Sequence, residues 1–83
     1  MQFHARGARY RGRKISLRSQ PKMGGTAQVW LFTGSYRIAR ADGKIAAWHD
    51  VADFLFHTPE TATAYALVEA RRAIDMRLGP IEA

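Results

Sequence analysis

The 83-residue chain is strongly basic, with 13 Lys and Arg residues against seven Asp and Glu, and it contains no cysteine. This length predicts a single domain over residues 1–83, and the lack of cysteine excludes a disulfide scaffold, thiolate metal ligands and a thiol nucleophile. The first residues lack the apolar run of a signal peptide and no segment approaches transmembrane length. We therefore expect a cytoplasmic protein without a membrane partner.

The charge is unevenly distributed along the chain. Up to Lys44 there are ten basic residues and one acid, Asp42, whereas the rest of the chain has three basic residues and six acids. Such asymmetry is typical of proteins that bind an anionic partner, most often nucleic acid. The alternative is that the two halves neutralise one another within the molecule or between subunits, which requires no ligand.

The N-terminal part of the chain predicts an arm followed by a strand. Residues 1–14 are dominated by arginine and glycine, and this like charge predicts a mobile basic arm over residues 1–9. From Tyr10 to Arg18 the pattern settles into alternating apolar and polar residues, as in a half-buried strand. Residues 19–25 combine Ser, Pro and Gly and are predicted to form a loop.

The middle of the chain predicts a central strand. Residues 26–32 are the most β-prone run, and within it Trp30 and Phe32 point to the same face. Residues 33–35 interrupt the strand as a turn or bulge, and an alternating pattern resumes over residues 36–41.

A hairpin signal follows. Asp42-Gly43 is typical of a two-residue hairpin loop, and residues 44–49 are the predicted return strand. If the loop consists of those two residues alone, Arg37 lies opposite Trp48 and can form a surface cation–π pair with it. The four residues after the return strand are predicted to be a polar connector or a short helical turn, and residues 54–56 lead into the final helix.

The clearest signals belong to this C-terminal helix. Thr58 is the predicted N-cap, Pro59 suits the first helical position, and Gly79 closes the helix. Tyr65 and Met76 lie on a flank and are predicted to cover an edge of the sheet. The stripe predicted to face the sheet consists of small and apolar residues: Ala62, Thr63, Ala66, Leu67, Ala70, Ala73 and Ile74.

Together these elements predict an α+β fold. An antiparallel sheet of three or four strands over residues 10–57 is followed by one long C-terminal helix over residues 58–79, packed on one face in β-β-β-α order. The uncovered face is predicted to carry Trp30, Phe32 and Trp48 as an interaction face.

Three segments of the chain support a resemblance: Tyr10-Arg11-Gly12, residues 56–62 and Ala73-Ile74-Asp75. In these segments, and over roughly residues 10–78, the chain resembles a group of small, functionally unassigned bacterial proteins. The resemblance implies a fold of sheet plus helix and no particular activity. The order of sheet and helix is also similar to part of the double-stranded-RNA-binding fold, without its leading helix.

The basic half predicts a non-enzymatic domain that binds nucleic acid or another polyanion. Guanidinium groups pair with phosphates in bidentate fashion, and an aromatic ring such as Tyr10 can stack on a base. The alternative is a protein-interaction or homodimerisation module that uses the aromatic face or an exposed strand edge. The predicted polyanion-binding residues are Arg9, Tyr10, Arg11, Arg13, Lys14, Arg18, Arg37 and Arg40.

No motif in the sequence predicts catalysis, a metal or another cofactor. His49, Asp50, Asp53 and His57 are metal-ligating residue types in close succession, but their spacing matches no established ligand pattern. We interpret them as residues at the ends of elements and in a turn. The serines have no general base placed beside them by the sequence, so nucleophilic catalysis is not predicted either.

Overall fold

The computed structural model describes residues 4–23, 30–40, 42, 44 and 46–79. The four strands form one antiparallel sheet in the order β1-β2-β3-β4, and the helix α1 packs against it. The predicted α+β fold is therefore confirmed, with four strands. In chain order the elements are β1 (His4–Tyr10), β2 (Arg13–Met23), β3 (Trp30–Ile38), β4 (His49–Phe56) and α1 (Pro59–Leu78).

The segment predicted to be a mobile arm is strand β1, so that prediction is wrong for the described residues after residue 3. Arg11 and Gly12 form a two-residue turn with φ angles of 51° and 78°. Two positive φ angles are what a type I′ hairpin requires, and this turn pairs β1 with β2. Strand alternation also separates the like charges, because Arg6 and Arg9 lie on opposite faces of the sheet.

Strand β2 is longer than predicted. The segment expected to begin a loop at Ser19 continues as strand to Met23, and residues 24–29 lie outside the described part. The loop signals were overridden because β3 supplies partners for β2 from Ile15 to Met23, with Pro21 opposite Phe32. Pro21 lies beyond the last β1 pair, where a residue without an N–H is tolerated.

Strand β3 is continuous through residues 33–35, and the predicted interruption is instead an irregularity in its pairing with β4. Phe32 lies opposite Phe56, but Gly34 lies opposite Val51, so four residues of β4 face the single residue Thr33.

The predictions of a return strand over residues 44–49 and of a connector after it are wrong. The strand that returns along β3 is β4, which begins at His49. The predicted register is nevertheless confirmed where the two strands pair, because Tyr36 lies opposite His49 and Ser35 lies opposite Asp50. Residues 41, 43 and 45 lie outside the described part.

The helix begins and ends as predicted. The Thr58 hydroxyl accepts a hydrogen bond from the Thr61 N–H at 3.1 Å, and Pro59 follows in the first turn. The Gly79 N–H donates to the Asp75 carbonyl at 2.8 Å, and Gly79 has a φ of 78° that favours glycine.

The core lies between α1 and one face of the sheet. Ile15 and Leu17 of β2 are fully buried against the predicted stripe of the helix, every member of which is buried except the half-buried Ala73. Tyr65 packs on Phe56 of the edge strand β4, with ring centroids 5.3 Å apart. Met76 was also expected to cover an edge, but it is 81% exposed, so that prediction is wrong.

The closest approach of helix and sheet is at Gly34. A Cβ atom placed on Gly34 would lie 3.2 Å from the Ala66 Cβ and closer still to the backbone carbonyl of Ala62. Because neither partner is the end of a flexible side chain, the helix backbone itself would have to move. The small stripe of α1 and Gly34 therefore set the distance between the two layers.

Replacing Gly34 with alanine is expected to lower the free energy of unfolding by about 1–3 kcal/mol, because the methyl group overpacks this contact. Urea denaturation monitored by circular dichroism measures the change. The matched control is Gly7→Ala, whose Cβ would meet nothing nearer than the Ile15 carbonyl oxygen at 3.8 Å. That variant should be as stable as the wild type or slightly more stable. Equal losses in both variants would contradict the packing argument.

Candidate nucleic-acid interface

The face of the sheet turned away from α1 is basic. Paired residues of adjacent antiparallel strands point to the same side, so the register separates the residues of this open face from those that face the helix. Ile15 and Leu17 face the helix, and their neighbours in β2 therefore point outward. Five cations lie on the open face: Arg9, Lys14, Arg18, Lys22 and Arg37.

Next to these cations, part of the open face carries only small residues and has no protruding side chain. In β1, Ala5 lies beside Arg18 and Gly7 lies beside Ser16. These residues cannot cover the neighbouring guanidinium groups, so an extended ligand can approach along β1 and β2 without displacing a bulky side chain.

Trp48 lies across the middle of the open face. The Arg18 guanidinium carbon is 4.2 Å from a Trp48 ring centroid, and that of Arg37 is 4.6 Å away. Because Arg37 belongs to β3, Trp48 directly precedes β4 and Arg18 belongs to β2, the indole reaches across β3. The predicted Arg37–Trp48 cation–π pair is confirmed, and Arg18 joins it.

The one described acid of the β strands on this face, Asp50, is held by a hydroxyl rather than by an arginine. The Ser35 hydroxyl donates to the Asp50 carboxylate at 2.6 Å, and Ser35 is buried. Within the described part of the chain, neither Arg18 nor Arg37 has an ion pair, and the buried Arg18 Nε has no hydrogen-bond partner. These two guanidinium groups can therefore accept an anionic ligand without breaking an existing bond.

The predicted polyanion-binding residues do not all converge. Arg9, Lys14, Arg18 and Arg37 share the open face. The other four predicted residues lie elsewhere: Tyr10, Arg11, Arg13 and Arg40.

Tyr10 and Arg11 instead fasten the β1–β2 turn to the end of α1. The Tyr10 hydroxyl donates to both oxygens of the Asp75 carboxylate at 3.0 Å. The Arg11 guanidinium pairs with the same carboxylate at 3.0 Å and donates to the Gly79 carbonyl at 2.7 Å. A signal for this cluster was present in the sequence, since an acid such as Asp75 near the negative end of a helix dipole needs a local cation.

The hydrogen bond to Asp75 raises the pKa of Tyr10 above its usual value near 10, and desolvation and the Asp75 charge act in the same direction. Arg11 and Arg71, whose guanidinium lies 5.6 Å from the Tyr10 ring centroid, act in the opposite direction. Tyr10 therefore remains a neutral donor in this cluster under ordinary conditions, and its hydroxyl is committed to the fold rather than to a ligand.

Arg13 and Arg40 also leave the predicted track. Arg13 follows the face of Ile15 and lines a cleft on the helix side together with Arg40 and Arg77. Arg40 is exposed and pairs with Asp42 at 2.8 Å. The sequence predicts that six arginines of the first half form one surface, but strand alternation separates Arg13 from Arg9 and Arg18.

The predicted aromatic interaction face is wrong. Phe32 is only 7% exposed and shares its face with Gly34, where the helix packs. The Trp48 ring lies against Arg37 on the opposite face of the sheet. The rings of Phe32 and Trp48 therefore cannot belong to one patch. The side chain of Trp30 lies outside the described part.

The candidate metal-ligating residues are separated by the same alternation. His49 pairs with Tyr36 on the helix side, with ring centroids 5.2 Å apart, whereas Asp50 points to the open face. His57 follows the opposite end of β4, and the side chain of Asp53 lies outside the described part. Within the described residues, His, Asp and Glu side chains form no group of three or more that could hold a metal.

Comparison with known proteins gives no assignment. No family model, curated protein or solved structure matches the chain. The resemblance to small bacterial proteins therefore stays a prediction. In the described part of the chain, no helix is both long and apolar enough to cross a membrane.

Removing the Tyr10 hydroxyl is expected to change how stability depends on pH. Since the folded-state pKa lies above the unfolded value of about 10, this hydrogen bond stabilises the fold fully below pH 10. The stabilisation is lost as the pH rises through the folded-state pKa. Thermal unfolding between pH 8 and 11 should therefore show a steeper alkaline decline in the wild type than in Tyr10→Phe. Asp75→Asn should reduce the decline in the same way, and an unchanged decline in both variants would contradict the assignment.

Proposed function

We propose that this protein is a non-enzymatic domain that binds single-stranded nucleic acid across the open face of its sheet. The observation that carries the proposal is the pair Arg18 and Arg37 around Trp48, with neither guanidinium engaged by an acid among the described residues. Cations that track a phosphate backbone beside an aromatic ring are the usual elements of such sites.

Several features favour a single strand over a duplex. Trp48 is half-buried on the open face, so an unpaired base can stack on the exposed part of its indole, whereas the bases of a duplex are stacked on one another. Because Ala5 and Gly7 have no protruding side chains, an extended nucleic-acid backbone has room beside Arg18. Lys14 and Arg9 continue the positive charge towards the β1–β2 turn, and Lys22 continues it in the other direction.

The alternative, a protein-interaction or homodimerisation module, has less support. It depended on a contiguous aromatic face, and Phe32 is buried under the helix while Trp48 lies between cations. The edge strand β1 carries Arg6 and Arg9, and charged residues on an edge oppose pairing with a second sheet. Sedimentation of the free protein tests this alternative directly, because the nucleic-acid proposal requires no dimer.

The first test is the salt dependence of binding to a labelled single-stranded oligonucleotide. The double variant Arg18→Gln with Arg37→Gln should bind more weakly, and its plot of log K against log salt should be less steep by about 1.4, from about 0.7 per lost phosphate contact. Fluorescence anisotropy at several salt concentrations measures both quantities.

The matched control is Arg71→Gln with Arg72→Gln, which removes the same charge from exposed positions of α1. It should keep most of the affinity and the wild-type slope. If the two double variants lose binding equally, net charge alone explains the affinity and the open face is not the site. Absence of binding to RNA and DNA at low salt would reject the proposal altogether.

A second test separates nucleic acid from other polyanions. Trp48→Leu should weaken oligonucleotide binding by the free energy of one stacked base, about 1–3 kcal/mol. It should leave the binding of inorganic polyphosphate, which has no bases, nearly unchanged. Isothermal titration with both ligands makes the comparison, and equal losses for the two ligands would show that the indole acts only by positioning Arg18 and Arg37.

A further inference from the structure

A second basic site lies on the helix side of the sheet, at the end opposite the β4–α1 junction. It is an open cleft of about 770 Å³ between the end of β3, the residues that lead into β4 and the last turn of α1. Three arginines, Arg13, Arg40 and Arg77, reach it from three different parts of the fold, and His49 joins them. None of these side chains belongs to the open face.

The positive charge of the cleft is only partly compensated. The one acid among its described lining residues is Asp42, which pairs with Arg40 at 2.8 Å. Arg13 and Arg77 have no hydrogen bond or ion pair with any described residue. Two arginines that share a cleft and have no carboxylate partner among the described residues repel one another, and an anion between them removes that repulsion.

The remaining wall includes apolar residues. Ile38 and Ala47 line the cleft beside the arginines, and the His49 ring is stacked on Tyr36 at an interplanar angle of 21°. A cleft of this volume can admit a small molecule, and five of its nine described lining residues are charged or polar. The charged groups specify the ligand as an anion, and the apolar wall provides for an organic part.

We propose that this cleft binds a phosphate monoester, with Arg13 and Arg77 on the phosphate and the organic part against Ile38, Ala47 and the His49 ring. A guanidinium group can pair with a phosphate dianion through two parallel hydrogen bonds, which the compact ammonium group of a lysine does not do. This site does not depend on the proposed function of the open face. The same dianionic group could belong to a free mononucleotide or to the 5′-phosphate end of a strand, and the test separates these sources.

The experiment is a titration of the full chain, labelled with ¹⁵N, with adenosine 5′-monophosphate, adenosine and inorganic phosphate. The monophosphate is expected to shift the amide signals of Ile38, Ala39, Ala47 and Arg77, with adenosine much weaker. Arg77→Gln and Arg13→Gln should each weaken this binding about tenfold or more. Arg77 is exposed at the end of α1, so its variant is expected to keep the fold, which circular dichroism checks.

Two comparisons make the outcome decisive. Arg18→Gln with Arg37→Gln should leave monophosphate binding unchanged, while Arg77→Gln should leave the binding of a 5′-hydroxyl oligonucleotide unchanged. If only a 5′-phosphorylated oligonucleotide responds to the Arg13 and Arg77 variants, the phosphate source is a strand end. If no phosphate ligand shifts the cleft signals at millimolar concentration, or if the shifts persist in both single variants, the proposal is wrong.

Discussion

The contact between Gly34 and the helix backbone at Ala62 is the constraint on which the arrangement of this protein depends. It requires a strand residue without a side chain and a helix stripe of small residues, and it brings the two layers together on one face of β3. Once that face is covered, alternation leaves Arg37 on the other face, next to Arg18. The position of one glycine thus determines which cations remain available to a ligand.

The β1–β2 turn contains a strained backbone conformation that is offset by side-chain contacts with the end of α1. Arg11 has a positive φ of 51°, a conformation that side chains other than Gly, Asn and Asp rarely adopt. Its guanidinium binds Asp75 and the carbonyl of Gly79, so the strained residue also neutralises an acid at the unfavourable end of the helix dipole. Arg11 therefore stabilises the fold, although the basic N-terminal sequence around it predicted a contact with a ligand.

The parts of the fold that depend on local chemistry could be predicted from the sequence, and those that depend on pairing over distance could not. The ends of the helix follow from Thr58, Pro59 and Gly79 alone, and the pairing of Tyr36 and Ser35 with β4 has the register that the Asp42-Gly43 hairpin signal predicts. The strand character of β1 depends instead on its pairing with β2, which outweighs its one glycine and its like charges. The burial of Phe32 likewise required knowing on which side of β3 the helix packs.

The same limit explains why the sequence of the basic half predicts a single binding surface. Composition counts charges, but a strand sends consecutive charges to opposite sides, as Arg13 and Lys14 show. At the start of β4, Trp48 lies on the open face and His49 lines the cleft, so two adjacent residues belong to two separate basic surfaces. A sheet with cations on both faces avoids crowding like charges on one side. Its positive potential is then divided between an extended surface suited to a chain of phosphates and a cleft suited to a single one.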